Sequence, residues 1–163
     1  MSNFPDPIRE GLQRGWKVLG GAHGPLPDKI TCDVAIVGSG AGAGITAELL
    51  TRAGLQVVIV EEGPLKSSSD FRQRESEAYP TLYQESGSRK TEDKGVSILQ
   101  GRCVGGSTTV NWTSSFRTPE PTLRFWQERF GLKTYEREAL APYFEQAERR
   151  LHISPWLAPP NEN

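Results

Sequence analysis

Residues 33–62 read DVAIVGSGAGAGITAELLTRAGLQVVIVEE, and the fold turns on them. An apolar run, Val34 to Val37, stops at Gly38, and the glycine-rich turn Gly38-Ser39-Gly40-Ala41-Gly42 follows at once. A helical pattern then runs through Ala53 and breaks at Gly54. A second apolar run, Val57 to Val60, leads into two acids, Glu61 and Glu62. Strand, tight turn, helix, strand, acid is the order of one βαβ unit of roughly 30 residues. The class predicted is α/β: a Rossmann-like βαβ unit with an incomplete sheet, followed by a helical C-terminal segment.

The order has a physical use. The first turn of a helix carries unpaired N–H groups and a partial positive charge, which suits an anionic pyrophosphate. Gly38 allows the sharp turn, and Gly40 removes the Cβ that would block a phosphate. Ala43 takes the third place of the G-x-G-x-x-G spacing, where a small residue permits close helix–strand packing. Glu61 follows Gly40 by about twenty residues, the spacing at which a carboxylate accepts from a ribose hydroxyl. A carboxylate there would repel a 2′-phosphate, which argues against NADP. The reading is a dinucleotide site; the plainer alternative is a glycine-rich turn with no ligand.

Bulk properties narrow the partners. The 163 residues suit one ordinary domain. A formal charge of −1 gives no electrostatic case for nucleic acid or an anionic membrane. No apolar run approaches the ~20 residues of a membrane span, and the N-terminus has no secretory apolar core. Cys32 and Cys103 form neither a metal spacing nor a disulfide framework, so no metal site is expected. The default setting is cytoplasmic, with membrane association left open.

Along the chain, residues 1–31 form an N-terminal arm. Ile8, Leu12, Trp16 and Leu19 recur at near-helical spacing, so a short outer helix from Pro7 to Val18 is expected, with a loose arm as the alternative. In the βαβ helix, Ile45, Leu49 and Ala53 form one apolar face and Gly54 is the expected C-cap. Residues 63–95 are polar and irregular. A short helix over Phe71–Tyr79 ends at Pro80, and Arg72, Arg74, Glu75 and Glu77 read as a solvated face. After the short apolar run Val96–Leu99 comes Gly101-Arg102-Cys103-Val104-Gly105-Gly106-Ser107-Thr108-Thr109-Val110-Asn111-Trp112. The glycine pair lets backbone approach a ligand, and the following hydroxyls and amide offer hydrogen bonds. The alternative is a glycine turn with a Ser/Thr helix cap. A helical turn there would put Asn111 on the face of Ser107. Beyond Thr118 the spacing predicts one helix capped by Thr118 or Thr122 and ending at Gly131. A second helix is expected from near Ala141, since Pro142 suits a helix start. The aromatic stripes Leu123, Trp126, Phe130 and Tyr143, Phe144 read as core. The segment Pro155–Asn163 reads as a chain stopped inside a loop.

The two glycine stretches together resemble the glucose–methanol–choline (GMC) oxidoreductases, FAD enzymes that oxidise alcohols. The first match is GSGAGAG through Ala47 and Gly54 to Val60-Glu61-Glu62-Gly63. The second, the more specific, is GRCVGGSTTVNWTSSFRTP from Gly101 to Pro119. The resemblance covers Cys32 to the C-terminus and corresponds to the N-terminal third of a family member. It implies that Gly38, Ser39, Gly40, Ala41 and Gly42 hold the pyrophosphate. Glu61 would take the adenosine ribose, with Glu62 beside it. Gly105, Gly106 and Ser107 would line the phosphate and flavin side, and Asn111, Trp112 and Ser114 would lie near the isoalloxazine. It implies a partial FAD-binding domain over 32–118 and the start of a substrate domain over 119–163. Some members attach FAD through a histidine where this chain has Val110, so a non-covalent flavin is expected.

The family's general base is a histidine near the C-terminus of its members. His23 and His152 match no such motif, and no catalytic residue is assigned. Two functions follow. One is the N-terminal part of an FAD-dependent alcohol dehydrogenase or oxidase, passing hydride from a CH–OH group to flavin, with its small-molecule alcohol met by the full-length protein. The other is a non-catalytic dinucleotide-binding fragment, inactive or completed by another chain. An NAD-type module is a third possibility. A βαβ unit short of strands exposes a sheet edge and apolar surface, which invites association with another chain.

Overall fold

A computed structural model describes residues 5–155. The chain forms two compact units, one running through Trp112 and the other beginning at Thr113.

In the first unit the βαβ order appears as read. Strand β1 is Val34–Val37, helix α2 is Ala41–Arg52, and strand β2 is Val57–Val60. Both strands are almost wholly β-branched, which favours extended backbone. They pair in parallel, Val34 with Val57 through Val37 with Val60. Asp33 fixes the entry to this register: its backbone N–H donates to Gln56 O at 2.9 Å, and its carboxylate accepts from Gln56 N at 2.7 Å. Gly54, at φ 89°, ends α2 in the left-handed region that glycine enters freely. The sheet has two strands among the described residues, and its apolar surface stays open. Val37 is 90% exposed, and Ile45 and Leu49 on α2 are also exposed.

Helix α1 precedes the sheet and spans Pro7–Gln13, shorter than the expected Pro7–Val18. The chain reverses at Gly15 (φ 98°), and the Trp16 ring folds back onto Gly11, where a Cβ would lie 2.4 Å from it. Trp16 thus covers the helix instead of extending its stripe. The arm is anchored by Asp6, the α1 N-cap. Its carboxylate accepts from Arg9 N, from Ser67 Oγ at 2.7 Å, and from Ser69 N and Oγ at 3.0 and 2.6 Å. The Ser69 and Ser67 hydroxyls hold this acid far below the usual aspartate range.

Helix α3 spans Glu75–Leu82 and runs through Pro80, where the sequence alone predicts its end. Tertiary contacts carry the helix past the proline: Leu82 is buried, and its carbonyl accepts from Arg102 N at 2.7 Å. The α3 charges are solvated, as read. Tyr83 then bridges Gly101, and Lys90 bridges Ser97, both antiparallel. The polar segment is therefore a distorted hairpin whose second arm, the exposed run Val96–Leu99, delivers the second glycine stretch.

The second unit holds α4, Glu120–Phe130, and α5, Arg137–Leu151. Neither threonine caps α4. Its N-cap is Pro119, whose carbonyl accepts from Thr122 N and Leu123 N. Gly131 closes α4 in the left-handed region, as expected. Helix α5 starts earlier than Ala141 and takes Pro142 into its second turn. The first turn is anchored by Arg137 Nε donating to Glu120 Oε2 at 2.9 Å. The reading of the aromatics as core is corrected: Leu123 is buried, whereas Phe130 and Tyr143 are more than 60% exposed. Arg117 donates twice to Glu148, at 2.6 and 2.7 Å, and sits 5.9 Å from the Phe144 ring centre. The loop reading for the end of the chain lies, from residue 156 on, outside the described residues.

Candidate functional site

The turn after β1 is built by its hydrogen bonds. Gly38 (φ 83°) donates its N–H to Val60 O at 2.7 Å, which extends the strand pairing by one residue and turns the chain toward α2. Gly40 is the α2 N-cap and lacks a side chain to cap the helix. A Cβ at Gly38, Gly40 or Gly42 would have nothing within 4 Å. The helix start is thus bare backbone facing open space, the arrangement that lets an anion reach N–H groups.

Glu61 follows β2 and turns back onto this loop. Its Oε2 accepts from Ser39 N at 2.9 Å and from Ser39 Oγ at 2.6 Å, and its Oε1 accepts from Gly63 N at 2.9 Å. Burial pushes the carboxyl up, but the Ser39 and Gly63 donors outweigh it and hold it below the usual glutamate range. Glu61 is therefore an anion at neutral pH. Glu62 points to Arg102, with Nε to Oε2 at 3.1 Å.

The second glycine stretch lies against the first. Gly105 (φ 92°) and Gly106 (φ 53°) both take left-handed backbone and lead into a single 3-10 turn over Gly106–Thr108. Gly105 donates its N–H to Ser39 Oγ at 2.9 Å, while a Cβ on Gly106 would sit 3.4 Å from Gly40 Cα. Ser107 Oγ accepts from Gly101 N at 3.0 Å, and Asn111 Nδ2 donates to Thr108 O at 2.6 Å. The helical turn that would align Ser107 with Asn111 does not extend beyond Thr108. Cys103, buried beneath the turn, has its thiol pushed up by burial, so it is not a poised nucleophile.

These elements enclose a cavity of about 750 Å³, within the size range of small-molecule sites. Of the residues proposed from the sequence, Gly38, Ser39, Gly40, Ala41, Glu61, Glu62, Gly106, Ser107 and Asn111 line it. Gly42 lies in the first turn of α2, and Gly105 acts from the wall through Ser39. Trp112 is not in the lining and is 83% exposed. Ser114 belongs to the second unit. A smaller hollow of about 380 Å³ shares Asn111 and includes Tyr83, Thr109 and Val110.

Sequence reasoning gave no role to Gly63, Gly101 or Gln100. Gln100 and Gly101 line the cavity. A Cβ on Gly63 would lie 2.4 Å from Arg102 backbone, and one on Gly101 would lie 2.4 Å from Gly106 O. A glycine directly after the paired acids was the available signal for Gly63. The charged side chains in the lining are the two glutamates, so a bound diphosphate would meet backbone N–H groups, not cations. That donor set fits a dinucleotide: open glycine backbone at a helix start and an ionised carboxylate across from it. Among the described residues no group of three or more side chains could hold a metal ion, and no helix is long and apolar enough to cross a membrane.

Comparison with known proteins supplies the family context. The family model described as GMC oxidoreductase matches residues 79–163, just over half of the chain. A long-chain-alcohol oxidase of Arabidopsis thaliana is 38% identical over 107 residues, covering 66% of this chain and 15% of the relative. An uncharacterized GMC-type oxidoreductase of Mycobacterium tuberculosis is 35% identical over 131 residues, covering 79% of this chain and 21% of the relative. The chain thus spans less than a quarter of the length of either. Among solved structures, pyridoxine 4-oxidase from Mesorbium loti superposes with a TM-score of 0.51 at 22% identity. That match covers 69% of this chain and 24% of the other, a likeness of fold.

Proposed function

Because the chain belongs to the GMC oxidoreductase family, we propose that it forms the dinucleotide-holding part of an FAD-dependent enzyme that oxidises an alcohol. The observation that carries this reading is the junction of the two glycine stretches around one cavity, with Glu61 ionised at its edge. Backbone N–H groups from Gly38 to Gly42 would receive the pyrophosphate, and Glu61 would accept from the adenosine ribose. Gly105, Gly106 and Ser107 would form the opposite wall. Asn111, which lines both hollows, would lie on the flavin side, and Trp112 follows it in the chain. The bound flavin would supply the hydride acceptor. The chain's own residues would bind and orient the dinucleotide, and the Glu61 carboxylate would exclude a 2′-phosphate. Partial FAD-binding and substrate-domain segments, parting near Thr118, belong to the same reading.

The flavin is held without a covalent bond, since Val110 offers no nucleophile. The long-chain-alcohol oxidases among its relatives make a long-chain alcohol the first substrate class to test. The chain alone does not turn over: no histidine lines the cavity, and His23 and His152 are both exposed. The open β1–α2–β2 surface is where further strands or another chain would pack.

Titration of the chain with FAD tests the reading. Quenching of flavin fluorescence that ADP competes away and NADP does not is the expected result. Absence of saturable FAD binding would overturn it. Acid denaturation should release all yellow colour, and alcohols with an artificial electron acceptor should give no turnover. Turnover by this chain alone would show that a base is present after all.

A further inference from the structure

One side chain touches both walls of the cavity. Ser39 Oγ lies 2.6 Å from Glu61 Oε2 and 2.9 Å from Gly105 N. A hydroxyl has one proton to give and lone pairs to receive. The carboxylate can only accept and the amide can only donate, so the direction of both bonds is fixed. Ser39 donates to Glu61 and accepts from Gly105. Each bond favours the other, because a hydroxyl that gives its proton to an anion becomes a better acceptor. The ionisation of Glu61 is thereby tied to the docking of a segment 66 residues away.

We propose that Ser39 is a positioning residue: its hydroxyl couples the charge on Glu61 to the closure of the second glycine stretch, so that the acid wall and the glycine wall form or loosen together. The inference rests on the FAD reading for its ligand, but the coupling exists in the ligand-free chain. Other ionisable groups near Glu61 do not substitute for it. Glu62 is paired with Arg102, and the Cys103 thiol is buried and protonated. Gly63 N still donates to Oε1, so losing the Ser39 hydroxyl leaves Glu61 aimed but less stabilised as an anion.

The test compares Ser39→Ala and Ser39→Thr with the parent chain. Carboxyl NMR of ¹³C-labelled glutamate should show Glu61 of S39A titrating at higher pH. Amide exchange at Gly105 should accelerate roughly tenfold or more, the loss expected for a hydrogen bond in a charged network. S39T keeps the hydroxyl and should restore both. An S39A chain whose Glu61 titration and Gly105 exchange match the parent would overturn the proposal. So would S39T behaving like S39A while both keep the parent circular-dichroism spectrum. In the ligand arm, FAD affinity of S39A should fall below that of the parent, and the gap should widen as pH falls through the ordinary glutamate range, where Glu61 of S39A takes up its proton before that of the parent. A parent chain that binds no FAD at any pH would overturn the functional reading, and the NMR arm would still decide the role of Ser39.

Discussion

The two glycine stretches use the same residue for opposite ends. Around Gly38, Gly40 and Gly42 the space a Cβ would take is empty. In the second stretch, at Gly101 and at Gly105 against Thr109 Oγ1, that space is filled to within 2.4 Å by other parts of the chain, and Gly63, between the two stretches, is closed as tightly by Arg102 backbone. The first stretch is bare toward the cavity. The second is bare so that other parts of the chain can close on it, Gly106 backbone on Gly101 and the Thr109 hydroxyl on Gly105. Glycine in a motif therefore marks close approach, and only the partner says whether the approach serves a ligand or the fold.

The difference can be broken by substitution, and the largest effect belongs to the packed side. Gly63→Ala and Gly101→Ala drive a methyl into backbone that cannot swing away. Each should cost about 3 kcal/mol or more, the upper part of the overpacking range, by urea unfolding. Stability within 1 kcal/mol of the parent, on the order of an ordinary surface change, would remove the contrast. On the open side, Gly40→Ala should leave the unfolding midpoint nearly unchanged. FAD binding should weaken roughly tenfold, because the methyl intrudes where a phosphate must approach. Equal losses of stability and affinity would mean Gly40 serves the fold.

Acid should loosen the N-terminal arm through Asp6, which the Ser67 and Ser69 hydroxyls hold. Its folded-state pKa is depressed, chiefly by the Ser69 and Ser67 hydroxyls. Such a group contributes stability above its unfolded value of about 4 and loses it as pH falls toward the depressed folded value. The melting temperature of the parent should drop below pH 4 more steeply than that of Asp6→Asn, which should start lower at pH 7. Parallel curves would show that the anchor carries no linked proton. The smallest effect has the opposite sign. Gly42→Ala, within α2 and facing open space, should raise stability by about 0.5–1 kcal/mol through helix propensity and a less disordered unfolded chain.

Legibility followed the reach of the forces. The ends of β1, α2 and β2 were readable because β-branched runs and a glycine C-cap act within a few residues. Pro80 and Pro142 misled because local propensity was outweighed. The burial of Leu82 and its carbonyl bond to Arg102 carry α3 past one proline, while α5 takes the other into its second turn. Trp16 fitted a helical period, yet it closes over Gly11 because the chain turns at Gly15. At the site, the glycines of the first turn and Glu61 came from spacing alone. Ser39 was placed by position, and its two hydrogen bonds, donated to Glu61 and accepted from Gly105, could not be read from neighbours in sequence.

The order of strand, bare turn, helix, strand and acid was written in the chain itself, because backbone sterics and side-chain branching at each position suffice to specify it. Folding in three dimensions decided which glycines face a cavity, which lie against backbone, and that one serine hydroxyl joins the two walls. Those outcomes rest on contacts between segments tens of residues apart, whose closure no local preference encodes.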